Sequence, residues 1–239
     1  YTVYNRTYLA TVFDSLKNDY THLNNYVQVW DVSCQKQLEI SGVNALEFIQ
    51  KLTPRDLSNL DIGKCFYAPI VNKFGKILND PVIYKLDQNK YRLSISDSDL
   101  FLLFDGFSLG MGIDINLSQP EIYTIAVQGP RSYELIEKVF SKKISDIKYF
   151  QIVDLLYKNK EVLISKTGFS SCGGYEIYIP NIQLSQNLWE EIFSVGQEFN
   201  IRVGCPNLID RIEGGLLSFG NDMTYNDTVL ESGLERFCD

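Results

Sequence analysis

Residues 65–96 read CFYAPIVNKFGKILNDPVIYKLDQNKYRLSIS. Two apolar runs, 65–71 and 76–86, flank Asn72-Lys73-Phe74-Gly75, whose Asn and Gly suit a tight turn. The stretch therefore predicts an antiparallel hairpin. Asp87-Gln88-Asn89-Lys90 makes a second tight connection into a strand at 91–96. Upstream, Leu16, Tyr20, Leu23 and Val27 are spaced for an amphipathic helix over 14–29. A strand at 37–41 and a helix at 42–52, ended by Thr53-Pro54, follow. Downstream, Asp97 suits the N-cap of an apolar helix at 100–109. The second half repeats this rhythm, with strands at 122–127, 152–157, 161–166 and 174–179. Gly129-Pro130 opens a helix running to 140, and two more helices are expected at 183–199 and 206–219. Short helices alternating with antiparallel hairpins argue for an α+β fold, and the echo between halves suggests two related lobes.

The 239 residues hold 22 Lys+Arg against 30 Asp+Glu, a formal charge of −8 that argues against nucleic acid or an anionic membrane as partner. Hydrophobic residues at 45% with charged residues at 22% describe an ordinary globular chain. Aromatic residues reach 13%, enough ring surface for a flat or cationic ligand. No run approaches the ~20 apolar residues that span a bilayer. Five widely spaced cysteines without a C-x-x-C pair read as reduced cytosolic thiols, not as a disulfide framework or zinc site. Sequons at Asn5, Asn116 and Asn226 lack a secretory context. A start at Tyr1 and a stop at Asp239 suggest a fragment.

Familiar catalytic signatures are missing. There is no P-loop, Gly110-Met111-Gly112 lacks the third glycine of a dinucleotide fingerprint, and no cluster has metal-ligand spacing. The one histidine, His22, has no triad partner nearby and reads as a surface or packed helix residue. Three other positions carry more information. Asp80 falls on the strand face of Leu78, Val82, Tyr84 and Leu86, where an unpaired carboxylate would cost several kcal/mol. Either neighbouring backbone donates to it, or it faces a ligand in a cleft. Glu176 and Tyr178 share one strand face while Tyr175, Ile177 and Ile179 take the other; Gly173-Gly174 would admit a ligand or another backbone. A polar strand edge is the alternative. Arg211 lies beside an expected buried stripe of Ile209, Ile212, Leu216 and Phe219 and has no carboxylate at i±3 or i±4. It either contacts a ligand or is simply solvated.

Trp30-Asp31-Val32-Ser33, Asn79-Asp80-Pro81, Gly173-Gly174-Tyr175-Glu176-Ile177-Tyr178, Arg211-Ile212-Glu213-Gly214-Gly215 and Phe219-Gly220-Asn221-Asp222 occur in order along nearly the whole chain. Together they resemble the tetrahydrofolate-dependent aminomethyltransferase family, the glycine cleavage T-proteins. The resemblance implies a T-protein-like folate-binding fold with two interleaved lobes. The first covers about 1–42 and 121–229, the inserted second covers about 43–120, and the C-terminal barrel of the family is missing. It places Asp80 by the reactive N5 of the folate as the catalytic group. Glu176, Arg211 and Tyr67 join Asp80 as folate contacts, while Tyr178, Phe169 and Trp30 line the substrate side. Phe169 stands where a tryptophan is expected, Cys34 where T-proteins carry a histidine, and Asn79-Asp80-Pro81 where they carry paired acids. These departures favour a branch that demethylates a sulfonium compound.

The implied reaction moves a methyl group from a sulfonium to N5 of tetrahydrofolate without a metal. It relies on alignment, worth up to ~7–11 kcal/mol in well-oriented systems, and on aromatic faces that suit a cation at roughly 0.5–2 kcal/mol each. Aminomethyl or N-methyl transfer from glycine-type substrates, and a non-catalytic folate-binding module, are the alternatives. The expected partners are a small-molecule substrate and, as an open question, a second copy in a homodimer, in a cytoplasmic setting.

Overall fold

The computed structural model describes residues 1–239. The chain runs through β1 (Thr2–Tyr4), β2 (Thr7–Leu9), α1 (Leu16–Asn25), β3 (Gln28–Asp31), β4 (Gln37–Ser41), α2 (Ala45–Gln50), β5 (Cys65–Tyr67) and β6 (Ile70–Val71). It continues through β7 (Ile77–Asn79), β8 (Val82–Asp87), β9 (Lys90–Ser94), α3 (Leu100–Met111), β10 (Asn116–Ser118), β11 (Tyr123–Gln128) and α4 (Ser132–Phe140). The last elements are β12 (Ile152–Tyr157), β13 (Lys160–Ser165), β14 (Gly174–Ile179), α5 (Ile182–Gly196), β15 (Arg202–Val203) and α6 (Leu208–Glu213). They form two compact units, Tyr1–Cys34 with Glu121–Leu216, and Gln35–Pro120 with Leu217–Asp239.

The first unit holds a six-stranded sheet in the order β12-β13-β14-β11-β3-β15, antiparallel except for β15 beside β3. Its inner strands are buried on both faces, and the two faces differ in chemistry. Ile125, Val127, Tyr175, Ile177 and Ile179 point into a core filled by Leu135, Ile136 and Val139 of α4 and Leu188 and Ile192 of α5. The opposite face carries Trp30 and Ala126, with Leu23 of α1 packed on them, and the polar Gln128, Ser165 and Glu176. Strand alternation thus puts an apolar seal on one side and a small, polar-lined surface on the other. Gly129 joins β11 to α4 at φ +116°, and a Cβ there would run into the carbonyl oxygens of Tyr26 and Leu23 at the end of α1.

The second unit holds an antiparallel five-stranded sheet in the order β10-β4-β9-β8-β5. Leu38, Ile40, Ile83, Tyr91 and Leu93 pack beneath Phe48 and Ile49 of α2 and Leu100 and Phe104 of α3. The Phe48 and Phe104 rings meet edge to face at 5.5 Å, a favoured aromatic geometry. The β6–β7 ribbon packs Ile77 against Phe219, Met223, Val229 and Leu234.

Several expectations need correction. The hairpin predicted over 65–71 and 76–86 is present, but in two stretches of one register, β6 with β7 beside the turn and β5 with β8 beyond it. Pro69 and Pro81 lack the N–H that would carry the ladder through, and Ala68 N–H instead donates to Pro81 O at 3.0 Å. Asp97 is not the cap of α3; Asp99 holds that position, without a side-chain capping bond. The helix expected over 206–219 stops at Glu213, because Gly215 turns the backbone to φ +64°. Its predicted apolar stripe is inverted: Asp210 and Arg211 are buried, while Ile212 is 65% exposed. β4 pairs with β9 and β10, so residues 35–42 belong to the second unit. Residues 217–229 do too, through Phe219, Met223 and Val229 on Ile77 and the Ile77 N–H to Asp227 O bond.

Gly129→Ala should cost about 2–4 kcal/mol, through left-handed strain plus overlap with fixed backbone. Urea unfolding of the variant beside wild type measures this loss.

Candidate functional site

In the first unit, β14 carries Glu176 between Ala126 of β11 and Ser165 of β13. Its carboxylate accepts hydrogen bonds from Thr167 Oγ1 and, at 3.2 Å, from Tyr178 Oη. Ser165 Oγ closes the ring, 2.5 Å from Thr167 Oγ1 and 3.4 Å from Tyr178 Oη. All four side chains are buried. Burial pushes the Glu176 carboxyl above its ordinary pKa, and the Thr167 and Tyr178 hydroxyls pull it partly back. Both bonds end on Oε2, leaving Oε1 without a protein donor. The expected sharing of one face by Glu176 and Tyr178 is therefore the observed geometry.

The loop between β13 and β14 is tied down on two sides. Gln128 Nε2 donates to Thr167 O and Tyr175 O, and its Oε1 accepts from Ser170 Oγ at 2.8 Å. Asp210 accepts from Ser171 N–H at 3.0 Å, from Ser171 Oγ at 2.5 Å and from Cys172 Sγ at 3.3 Å. That set of donors explains why α6 turns a carboxylate inward. A Cβ on Gly174, at φ +149°, would meet Val127 O, so this glycine admits backbone and not a ligand. Phe169 sits half-buried in the loop. Burial and the neighbouring Asp210 push the Cys172 thiol up to about 12, which keeps it un-ionised.

Arg211 follows Asp210 and is 7% exposed, with Nη1 donating to Leu216 O at 3.4 Å. A plain solvated arginine is ruled out by that burial. Trp30, expected at the substrate, is 1% exposed among Leu23, Val32 and Ala126, and its indole N–H goes to Gln28 Oε1 at 2.9 Å. Its ring shares the sheet face of Ala126 and Glu176. His22 is the packed helix histidine: buried, bonded through Nε2 to Asn200 O at 2.8 Å, with its pKa lowered chiefly by burial.

In the second unit, Asp80 occupies the break between β7 and β8. Tyr67 Oη donates to Oδ2 at 3.0 Å and Ser96 Oγ donates to Oδ1. Asn79 positions Ser96, accepting from its N–H and donating to its carbonyl, each at 3.1 Å, and donates also to Ser98 Oγ at 2.9 Å. Burial raises the Asp80 pKa to about 6, against the pull of the Ser96 and Tyr67 hydroxyls. Burial and the Asp80 charge likewise raise the Tyr67 phenol. Ser96 escaped the sequence reading, since fifteen residues separate it from Asp80 and only the β8–β9 hairpin brings it back. Asp80 with Tyr67, and Glu176 with Tyr178, thus pair predicted residues in hydrogen-bond contact. No group of three His, Cys, Asp or Glu could hold a metal.

A family model described as the GCVT N-terminal domain matches residues 2–239. The chain belongs to the GCVT N-terminal domain family. Over 238 residues it is 43% identical to the dimethylsulfoniopropionate demethylase DmdA of Ruegeria pomeroyi, covering 100% of this chain and 65% of that protein. An aminomethyltransferase of Thermoanaerobacter pseudethanolicus is 30% identical over 236 residues, covering 96% of this chain and 64% of its own length. The chain therefore spans just under two thirds of these relatives. Among solved structures, the glycine cleavage system aminomethyltransferase T of Bartonella henselae superposes with a TM-score of 0.88 at 20% identity, over 100% of this chain and 65% of that one. That similarity confirms the expected T-protein-like α+β fold of the GCVT N-terminal domain.

A buried acid whose native pKa exceeds its unfolded value disfavours folding once it ionises. The penalty is full above the native value near 6 and gone below about 4. Asp80→Asn should therefore stabilise the protein at pH 8 by up to about 3 kcal/mol, with the gap closing between pH 6 and 4. Melting temperatures of both proteins across that range check the sign.

Proposed function

We propose that the protein of which this chain is part demethylates dimethylsulfoniopropionate with tetrahydrofolate as acceptor, giving methylthiopropionate and 5-methyltetrahydrofolate. The observation that carries the reading is 43% identity to DmdA along the whole chain, joined to two buried carboxylates at the positions the family resemblance assigns to folate. Bound tetrahydrofolate would supply N5 as the methyl acceptor. Glu176 suits the N–H edge of a pterin: it is an enclosed carboxylate whose Oε1 has no protein donor, while Thr167 and Tyr178 hold Oε2 in place. Arg211 would add a buried cation at the same ligand, and Tyr178 and Phe169 would bring ring surface toward the sulfonium.

As the methyl group leaves, the S–C electron pair returns to sulfur and N5 must shed a proton. Asp80, with its pKa near 6, is ionised at neutral pH and can accept that proton at an Oδ atom and return it to solvent. Tyr67 and Ser96 fix the direction in which it does so. No imidazole is needed, which agrees with the enclosure of His22 in packing. Cytoplasmic placement is part of the proposal, supported by five free cysteines; a homodimer is proposed on the resemblance alone. The 30% identity to an aminomethyltransferase supports a second reading, transfer of an aminomethyl carbon.

The full-length protein supplied with dimethylsulfoniopropionate and tetrahydrofolate should yield 5-methyl- and not methylene-tetrahydrofolate. Glu176→Ala should raise the tetrahydrofolate Kd at least about tenfold. Asp80→Ala should lower kcat by about 10²-fold while changing that Kd by less than about threefold. An unchanged Kd in the Glu176 variant would count decisively against the site.

A further inference from the structure

Arg55 of the second unit makes no ion pair, although Asp239 lies beside its backbone, with its N–H on Pro54 O at 3.2 Å and its carboxylate on the Asp56 N–H at 2.9 Å. The Arg55 guanidinium carbon lies 4.5 Å from the Phe66 ring centre and 5.2 Å from that of Phe237. Its Nε is buried with no hydrogen-bond partner, and none of the protein's ion pairs uses it. The adjacent acid is engaged elsewhere, Asp56 accepting both the N–H and the hydroxyl of Ser58 at 2.8 Å. The backbone beneath is fixed: Arg55 N–H donates to Thr53 Oγ1 at 3.2 Å and its carbonyl accepts from Gln50 Nε2 at 2.8 Å. A second guanidinium, that of Arg236, lies 4.7 Å from the same Phe237 ring.

Rings against a guanidinium occupy its faces and leave its in-plane N–H edge for a planar anion, which a carboxylate matches with two parallel bonds. The wall is continuous with the buried acid: the Phe237 and Tyr67 rings are 4.7 Å apart, and Tyr67 Oη bonds to Asp80. We propose that Arg55 is a carboxylate-binding residue of this site, taking the carboxylate of the sulfonium substrate or that of the folate glutamate tail. The assignment names a ligand group for the reading above and so rests on it. It accounts for a cation held on rings, with a buried N–H unsatisfied, in a chain of net charge −8.

Steady-state kinetics and calorimetry on full-length wild type and Arg55→Gln test it. If the carboxylate is the substrate's, KM for dimethylsulfoniopropionate rises at least about tenfold with kcat within about threefold. If it is the folate tail's, the Kd for tetrahydrofolate rises about tenfold while that for 6-methyltetrahydropterin, which lacks the tail, stays put. Both parameters unchanged in a variant melting with wild type overturns the assignment. Should Arg55→Gln not fold, Arg55→Lys keeps the charge but loses the planar fork. Binding of either methylthiopropionate or tetrahydrofolate weakened about threefold supports the assignment, and equal binding of both overturns it. A wild type that binds methylthiopropionate through Arg55 yet transfers no methyl group sinks the activity reading and upholds this one.

Discussion

A carboxylate removed from water must be solvated again by the protein, and both units solve this with neutral hydroxyl groups. Glu176 has Thr167 and Tyr178; Asp80 has Ser96 and Tyr67. Neither acid forms an ion pair, so burial outweighs its donors and both pKa values stay raised. A buried cation would have stabilised the charge and pulled both values down. Each acid takes a phenol hydroxyl, and at Glu176 both bonds fall on Oε2, which keeps Oε1 as an acceptor for an incoming N–H.

The backbone around each acid is arranged to make that possible. In the second unit, Pro69 and Pro81 interrupt the ladder, and at the break between β7 and β8 the Asp80 carboxyl takes the Ser96 and Tyr67 hydroxyls in addition to its own backbone N–H. Asn79 then repairs the break, bonding both the N–H and the carbonyl of Ser96. In the first unit the sheet is intact, and the opening is made by composition instead. Small residues flank the acid, Ala126 on one side of Glu176 and Ser165 on the other.

Rigidity comes from a second layer of polar contacts. Asp210 holds Ser171 and Cys172, and Gln128 holds Thr167, Ser170 and Tyr175, so the loop bearing Phe169 and Thr167 is fixed from the sheet and from α6. This explains the inverted burial of α6. Burying three donors around one carboxylate is worth more than burying Ile212 on a six-residue helix.

Alternation made the two faces of β14 readable from residues 174–179 alone, and the turn at 72–75 made the ribbon after β5 readable as well. The ordered motifs sufficed for the family. Such signals are local, because strand period and turn chemistry act over a few residues. Tertiary structure decided the rest. It chose Ser96 as the partner of Asp80, packed Trp30 against Leu23 and Ala126, and set Asp210 against a distant loop. It also left Arg55 on two rings without an ion pair. Each of these pairs side chains far apart in the chain, and which hydroxyl, ring or carboxylate meets which depends on sheet order, a property that no local pattern encodes.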